Sequence, residues 1–169
     1  INYVHFALTS QDINSTANML SIKECLEDVI VTHIEIIKGI LDHHVEDWKD
    51  ITLLARTHGQ PASPTKLGKE INVFSERLYN QFKELYYIKP RTKFGGATGN
   101  FNAHYAAYPN IDWEEFADKF VSNFYLTRNK VTTQIDHYDN LTEIFDIVKR
   151  INTILIDLSV DIWMYISIN

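Results

Sequence analysis

The sequence predicts an all-α fold, a bundle of long helices, and three observations carry that prediction. Apolar residues recur at three- and four-residue steps over stretches far longer than a strand. Gly and Pro number only six and four, and most of them sit in two short stretches, so breaks between regular elements are few. The final segment is apolar around most of a helical circumference, as befits a helix in the middle of a bundle.

The first long helix is expected from near Asp12 to about Asp50. Ile22, Leu26, Val29, Ile30, Ile36, Ile37, Ile40, Leu41, Val45 and Trp48 trace its apolar face, and Gly39 weakens the pattern without ending it. A short extended stretch, Ile51 to Arg56, leads into a polar, Pro-containing loop from Thr57 to Pro64. Ser63 and Pro64 read as an N-cap and first helical residue, so a second helix is expected from there to about Ile88. Leu67, Ile71, Phe74, Leu78, Phe82, Leu85 and Ile88 give that helix a narrow seam of near-heptad spacing, and Pro90 stops it. Residues 91–111 read as irregular and Gly-rich. A shorter helix opens at Asp112, where Asp112 and Glu115 resemble a capping box, and fades near Asn123. Thr127 to Asn140 reads as a loop, and the last helix runs from near Leu141 to the chain end.

Composition bounds the partners. A net charge of −6 argues against a broad nucleic-acid or acidic-membrane surface, although an anionic small molecule can still bind local donors. Cys25 is the single cysteine, so no internal disulfide forms, and a reducing, cytoplasmic setting is expected. The start lacks the basic and apolar regions of a signal peptide. The apolar stretch Ile151 to Ile168 carries Asp157 and Asp161, which would be costly in lipid, so it reads as a bundle helix and no membrane is expected. The chain begins at Ile1 and stops inside a helical pattern, which reads as one central helical domain, residues 1–169, of a larger protein. Helix faces this apolar are expected to oligomerise.

Several stretches could carry chemistry. Thr9-Ser10-Gln11-Asp12 precedes the first helix, where unpaired N–H groups and two hydroxyls could hold a carboxylate or phosphate; ordinary capping explains the same residues. Arg56-Thr57-His58-Gly59-Gln60-Pro61-Ala62 packs a cation, a hydroxyl, an imidazole and an amide into one short stretch. His58 there suits general acid–base work near neutral pH, or is simply a loop His bonded to backbone. The Gly95 to His104 segment lacks the strand–GxGxxG–helix context of a dinucleotide site. Thr132-Thr133-Gln134-Ile135-Asp136-His137 offers hydroxyls, an amide and a second imidazole. Adjacent His43 and His44 point about 100° apart on a helix, no HExxH or Cys cluster occurs, and no nucleophile elbow is present, so neither a metal site nor a Ser–His–Asp hydrolase is expected.

Taken together, the Thr9–Asn14 and Arg56–Ala62 stretches resemble the fumarase/aspartase superfamily. Gly68-Lys69-Glu70, Gly99 to His104, Ala107-Tyr108-Pro109 with Asp112-Trp113, Thr132 to Ile135, and Asn152 to Asp157 narrow the resemblance to the adenylosuccinate lyases, across essentially the whole chain. The resemblance implies the central helical domain of that fold and a homotetrameric helical core whose active sites are shared between subunits. It also implies cleavage of adenylosuccinate to AMP and fumarate, and of succinylaminoimidazole carboxamide ribotide to the carboxamide ribotide and fumarate, by anti elimination without a cofactor. On the family pattern His58 matches the general acid, Thr9 and Ser10 the hydroxyl pair that contacts the nucleotide substrate, Gln134 the substrate-binding amide, and Thr57 a second contact. Where family members often carry Glu-Pro-His-Asp, this chain has Asp136-His137-Tyr138-Asp139, which leaves the role of His137 open. The Ser-Ser-x-Met-Pro-x-Lys-x-Asn signature that carries the serine base does not occur in the chain, nor do the flanking N- and C-terminal domains. A sister lyase, acting on argininosuccinate or aspartate, and a non-catalytic helical oligomerisation module are the competing readings.

Overall fold

The computed structural model describes residues 3–168, and the chain divides into two compact units. In chain order the elements are α1 (Ser10–Cys25), a π-helical segment (Leu26–Val31), α2 (Thr32–Asp47), β1 (Thr52–Thr57), β2 (Gln60–Lys66), α3 (Leu67–Tyr87), β3 (Arg91–Lys93), α4 (Asn102–Ala107), α5 (Trp113–Ser122), β4 (Thr127–Asn129) and α6 (Asp139–Ile168). The fold is predominantly helical, as expected, with two small two-stranded sheets besides: β1–β2 antiparallel and β3–β4 parallel.

One unit takes the chain up to Asp28 together with Ile88–Ile144. Met19, Phe94, Phe101, Trp113, Ala117, Val121, Leu126 and Ile144 form its buried apolar core. The segments expected to be irregular hold β3 and β4, which pair from Arg91↔Thr127 to Lys93↔Asn129. Strands of three residues carry too little alternation to be read locally; the pairing is visible only once α1 packs on β3 and α5 on β4. The start of α5 follows the sequence closely. Asp112 Oδ1 accepts from the Glu115 N–H at 2.9 Å, yet the box is one-sided, because the Glu115 carboxylate pairs with Lys119 at 2.7 Å.

The other unit comprises Val29–Tyr87 and the residues from Phe145 onward. Here α2 and α3 pack closely at Gly68, where a Cβ would stand 2.4 Å from the Val45 carbonyl oxygen. The expected seam of α3 is the buried one: Ile71, Phe74, Leu78 and Leu85 face inward. Ion pairs tie α3 to α6, with Arg77 Nη2 at 2.8 Å from Asp157 Oδ2 and Arg150 Nη2 at 2.5 Å from Glu84 Oε2. Along α6 this unit buries Ile147, Ile151, Ile154 and Leu158, a single stripe at three- and four-residue steps. By length and composition alone α6 could cross a membrane. Its expected continuation to Asn169 lies outside the described residues.

Two boundaries differ from expectation for physical reasons. The long first helix is broken by the π segment, which adds a residue to one turn and so advances the apolar spacing by about 100°. Val29, Ile36 and Ile40 are consequently exposed, while Leu26, Ile34 and Leu41 are buried. Ser63 and Pro64 do not open α3; they lie in β2, with Pro64 opposite Leu54. The helix starts at Leu67 because backbone carbonyls replace a cap: Leu67 N–H donates to Ile51 O at 2.9 Å and Gly68 N–H to Trp48 O at 3.1 Å.

Candidate functional site

At the N-terminus of α1, Thr9 is the N-cap in extended conformation and Ser10 the first helical residue. Gln134, 125 positions later, reaches back so that its Nε2 donates to Thr9 Oγ1 at 3.3 Å. Tyr138 adds a second tie, its hydroxyl donating to Gln11 Oε1 at 3.4 Å. Thr9, Ser10 and Gln134, assigned from sequence to one substrate, are thus gathered around one helix start, with Ser10 and Gln134 exposed. Thr9 and Asp12 form a capping box there, the Thr9 N–H donating to Asp12 Oδ2 at 2.9 Å, so ordinary capping accounts for part of this arrangement.

The underlying framework is polar and fully buried. Asp12, with no exposed surface, accepts from Lys93 Nζ at 2.5 Å, from the Thr9 N–H and the Gly95 N–H at 2.9 Å each, and from the Gly96 N–H at 3.2 Å. Lys93, equally buried, also donates to Gly96 O at 2.6 Å. One carboxylate therefore joins the α1 cap to the Gly-rich loop. That loop in turn abuts the Gln134 segment: Gly99 has φ +81°, and a Cβ there would stand 2.1 Å from Thr132 O, a spacing only glycine tolerates. Ser15 closes the circuit, accepting from the Lys93 N–H at 3.1 Å and donating to Asp136 Oδ2 at 3.1 Å.

Sequence reading singled out none of Lys93, Ser15, Asp136 or the buried His104 for such a role. Their partners lie 78 to 121 positions away in sequence for the Lys93–Ser15 and Ser15–Asp136 bonds, so no local spacing could reveal them. His104 packs among Phe6, Phe101 and Trp113, and its Nδ1 has no hydrogen-bond partner among the described residues. Its pKa is lowered, chiefly by burial; the Asp12 charge opposes that shift and the Lys93 charge adds to it. Asp12 is also held below the ordinary carboxylate value. Burial acts strongly in the opposite direction, but the Lys93 hydrogen bond and the Thr9 and Gly95 N–H groups outweigh it.

These shifts fix a pH dependence. A histidine with a depressed folded pKa stays neutral while its unfolded counterpart protonates, so stability is full above about 6.5 and falls as pH drops below it. Asp12 works at lower pH: its contribution is present above about 3.9 and is lost as pH falls through its depressed folded value. Denaturation midpoints between pH 8 and 5 should therefore decline less steeply in a His104→Phe variant than in the wild type. Parallel slopes would mean that His104 does not govern this limb.

Thr57 and His58 belong to the other unit, on the β1–β2 hairpin. Thr57 pairs with Gln60, leaving His58 and Gly59 as a two-residue turn with φ +51° and +75°, the signature of a type I′ turn. The expected loop is thus a hairpin tip. Arg56 Nη1 donates to Gly59 O at 3.3 Å across the turn, and His58 projects exposed from it. Left-handed backbone is uncommon in a non-glycine residue, though His tolerates it better than most. The type I′ turn requires positive φ at both of its central residues and so accounts for this backbone by itself. His137, whose role the sequence left open, lies exposed with Nδ1 at 3.2 Å from Asp139 Oδ2.

Comparison with known proteins bears on what this arrangement does. A family model described as lyase matches residues 1–169. The chain is 55% identical to the adenylosuccinate lyase of Dictyostelium discoideum, over 98% of this chain and 36% of that protein. It is 44% identical to the adenylosuccinate lyase of Escherichia coli K12, over 99% of this chain and 37% of that protein. The chain thus spans a little over one third of the length of these relatives. In fold it is similar to the crystal structure of a fumarate lyase from Mesorhizobium sp. BNC1, with a TM-score of 0.84 at 23% identity, covering 98% of this chain and 38% of the other.

Proposed function

Because the chain belongs to the lyase family, we propose that its parent protein is a cytoplasmic adenylosuccinate lyase. It would release fumarate from adenylosuccinate, leaving AMP, and from succinylaminoimidazole carboxamide ribotide, leaving the carboxamide ribotide. The observation that carries the reading within this chain is the Gln134 Nε2 to Thr9 Oγ1 contact at 3.3 Å, which brings the amide to the N-terminus of α1, where Thr9 and Ser10 stand.

In the elimination, a base removes the proton beside a substrate carboxylate, and the electron pair develops as an aci-carboxylate. The carbon–nitrogen bond then breaks, and a general acid protonates the departing nitrogen. Thr9, Ser10 and Gln134 supply fixed donors for the substrate, Thr57 a further contact, and His58 the proton; preorganised donors of this kind stabilise developing charge best. The chain has no Ser-Ser-x-Met-Pro-x-Lys-x-Asn stretch, so the base comes from a part of the protein outside these 169 residues.

The active form is a homotetramer whose subunits share active sites. Apolar side chains left exposed along α6, among them Ile156, Val160, Trp163 and Ile166, support helix-to-helix association as the alternative to facing water.

Fumarate release by the full-length protein tests the function. Turnover of adenylosuccinate in preference to argininosuccinate or aspartate is the expected result. Preference for either of the others would make the protein a sister lyase, and no turnover by a folded protein would favour an assembly module. The 169-residue chain by itself is expected to give no AMP from adenylosuccinate; measurable turnover would place the base within it.

A further inference from the structure

Between Gln134 and Tyr138 in the chain stands Asp136, and unlike them it is buried, at 3% exposure. Its two oxygens face different elements. Oδ2 accepts from Ser15 Oγ of α1 at 3.1 Å, while Oδ1 accepts from Asn129 Nδ2 at the end of β4 at 3.0 Å. Ser15 is itself fixed, accepting the Lys93 N–H at 3.1 Å and meeting Thr92 Oγ1 at 3.0 Å. The segment from Lys130 to Ile135 is largely exposed and outside regular structure; Thr132 within it lies close against Gly99, and Asp136 follows it directly.

We propose that Asp136 is a positioning residue: clamped between Ser15 and Asn129, it sets the reach of the Gln134 amide toward Thr9 and hence the grip on substrate. Asp136 touches no substrate and acts through Gln134. The inference rests on the reading of Gln134 as a substrate-binding group in the proposed lyase.

A double-mutant cycle in the full-length protein separates the two. Asp136→Ala is expected to lower kcat/KM for fumarate release from adenylosuccinate by about 10-fold, mainly through KM. Asp136→Asn should recover activity to within about threefold of wild type, since its amide oxygen still accepts from Asn129 and its NH₂ can donate to Ser15 Oγ. In a Gln134→Ala background the Asp136→Ala loss should shrink to less than about twofold, because the group being positioned is gone. Ser15→Ala, which releases the same clamp from the α1 side, gives a second route should Asp136→Ala fail to fold; its loss should also vanish without Gln134. Equal fold-losses with and without Gln134 overturn the inference while leaving the lyase reading intact. A Gln134→Ala protein as active as wild type overturns the role of Gln134, and the inference with it.

Discussion

Replacing His58 by Ala in the full-length protein is expected to cut fumarate release by about 10²–10⁴-fold, the range for losing a positioned general acid or base. The loss should fall mainly on kcat, because the imidazole is assigned to protonating the departing nitrogen and not to holding the substrate. The hairpin gives the experiment a built-in complication. His58 sits at φ +51° in the type I′ turn, and a left-handed alanine costs roughly 1–2 kcal/mol. His58→Asn removes the proton donor while keeping a residue that tolerates this backbone. If both variants fold with thermal midpoints near wild type and both lose turnover, the proton and not the turn is responsible. Turnover unchanged in the Asn variant would remove His58 from the mechanism.

The second large effect is on stability. Lys93→Met should destabilise the protein by about 3–5 kcal/mol, the cost of stranding one charge of a buried pair. Both partners are fully buried, and among the described residues the lysine is the one full positive charge against Asp12, whose other donors there are backbone N–H groups. Calorimetry should show a clear fall in Tm. Removing both charges, as Asp12→Asn with Lys93→Met, should recover a substantial part of the loss, because no lone charge is left in the interior. A single variant as stable as wild type would mean that Asp12 is satisfied by its backbone donors alone.

The fold was legible where one element's own periodicity is long. The α3 seam, the Asp112 cap of α5 and the onset of α6 all follow from spacing and cap chemistry within a few turns. It was illegible where distant pairing decides. Pro61 and Pro64 disguise β2 as a loop, since proline donates nothing to a ladder, and only the partner strand makes those residues extended. For α6 the sequence announces an apolar surface nearly all round, but which stripe is covered within this chain depends on where Arg77, Gln81 and Glu84 of α3 stand.

The candidate site divides in the same way. Thr9, Ser10, Thr57, His58 and Gln134 are legible because each lies in a short stretch whose residue types match a chemical task or a family motif. Lys93 and Asp136 are not, because alone each is an ordinary charged residue that belongs on a surface. By itself, then, the sequence determined long helices, because helix periodicity is a local property, and its motifs pointed to the lyase family and to the side chains proposed to meet substrate. Tertiary structure alone decided that Asp12 and Lys93, 81 positions apart, are buried against each other, and that Asp136 is clamped beneath Gln134. A charge survives burial only when a partner of complementary shape arrives from elsewhere in the chain, and no local pattern records that arrival.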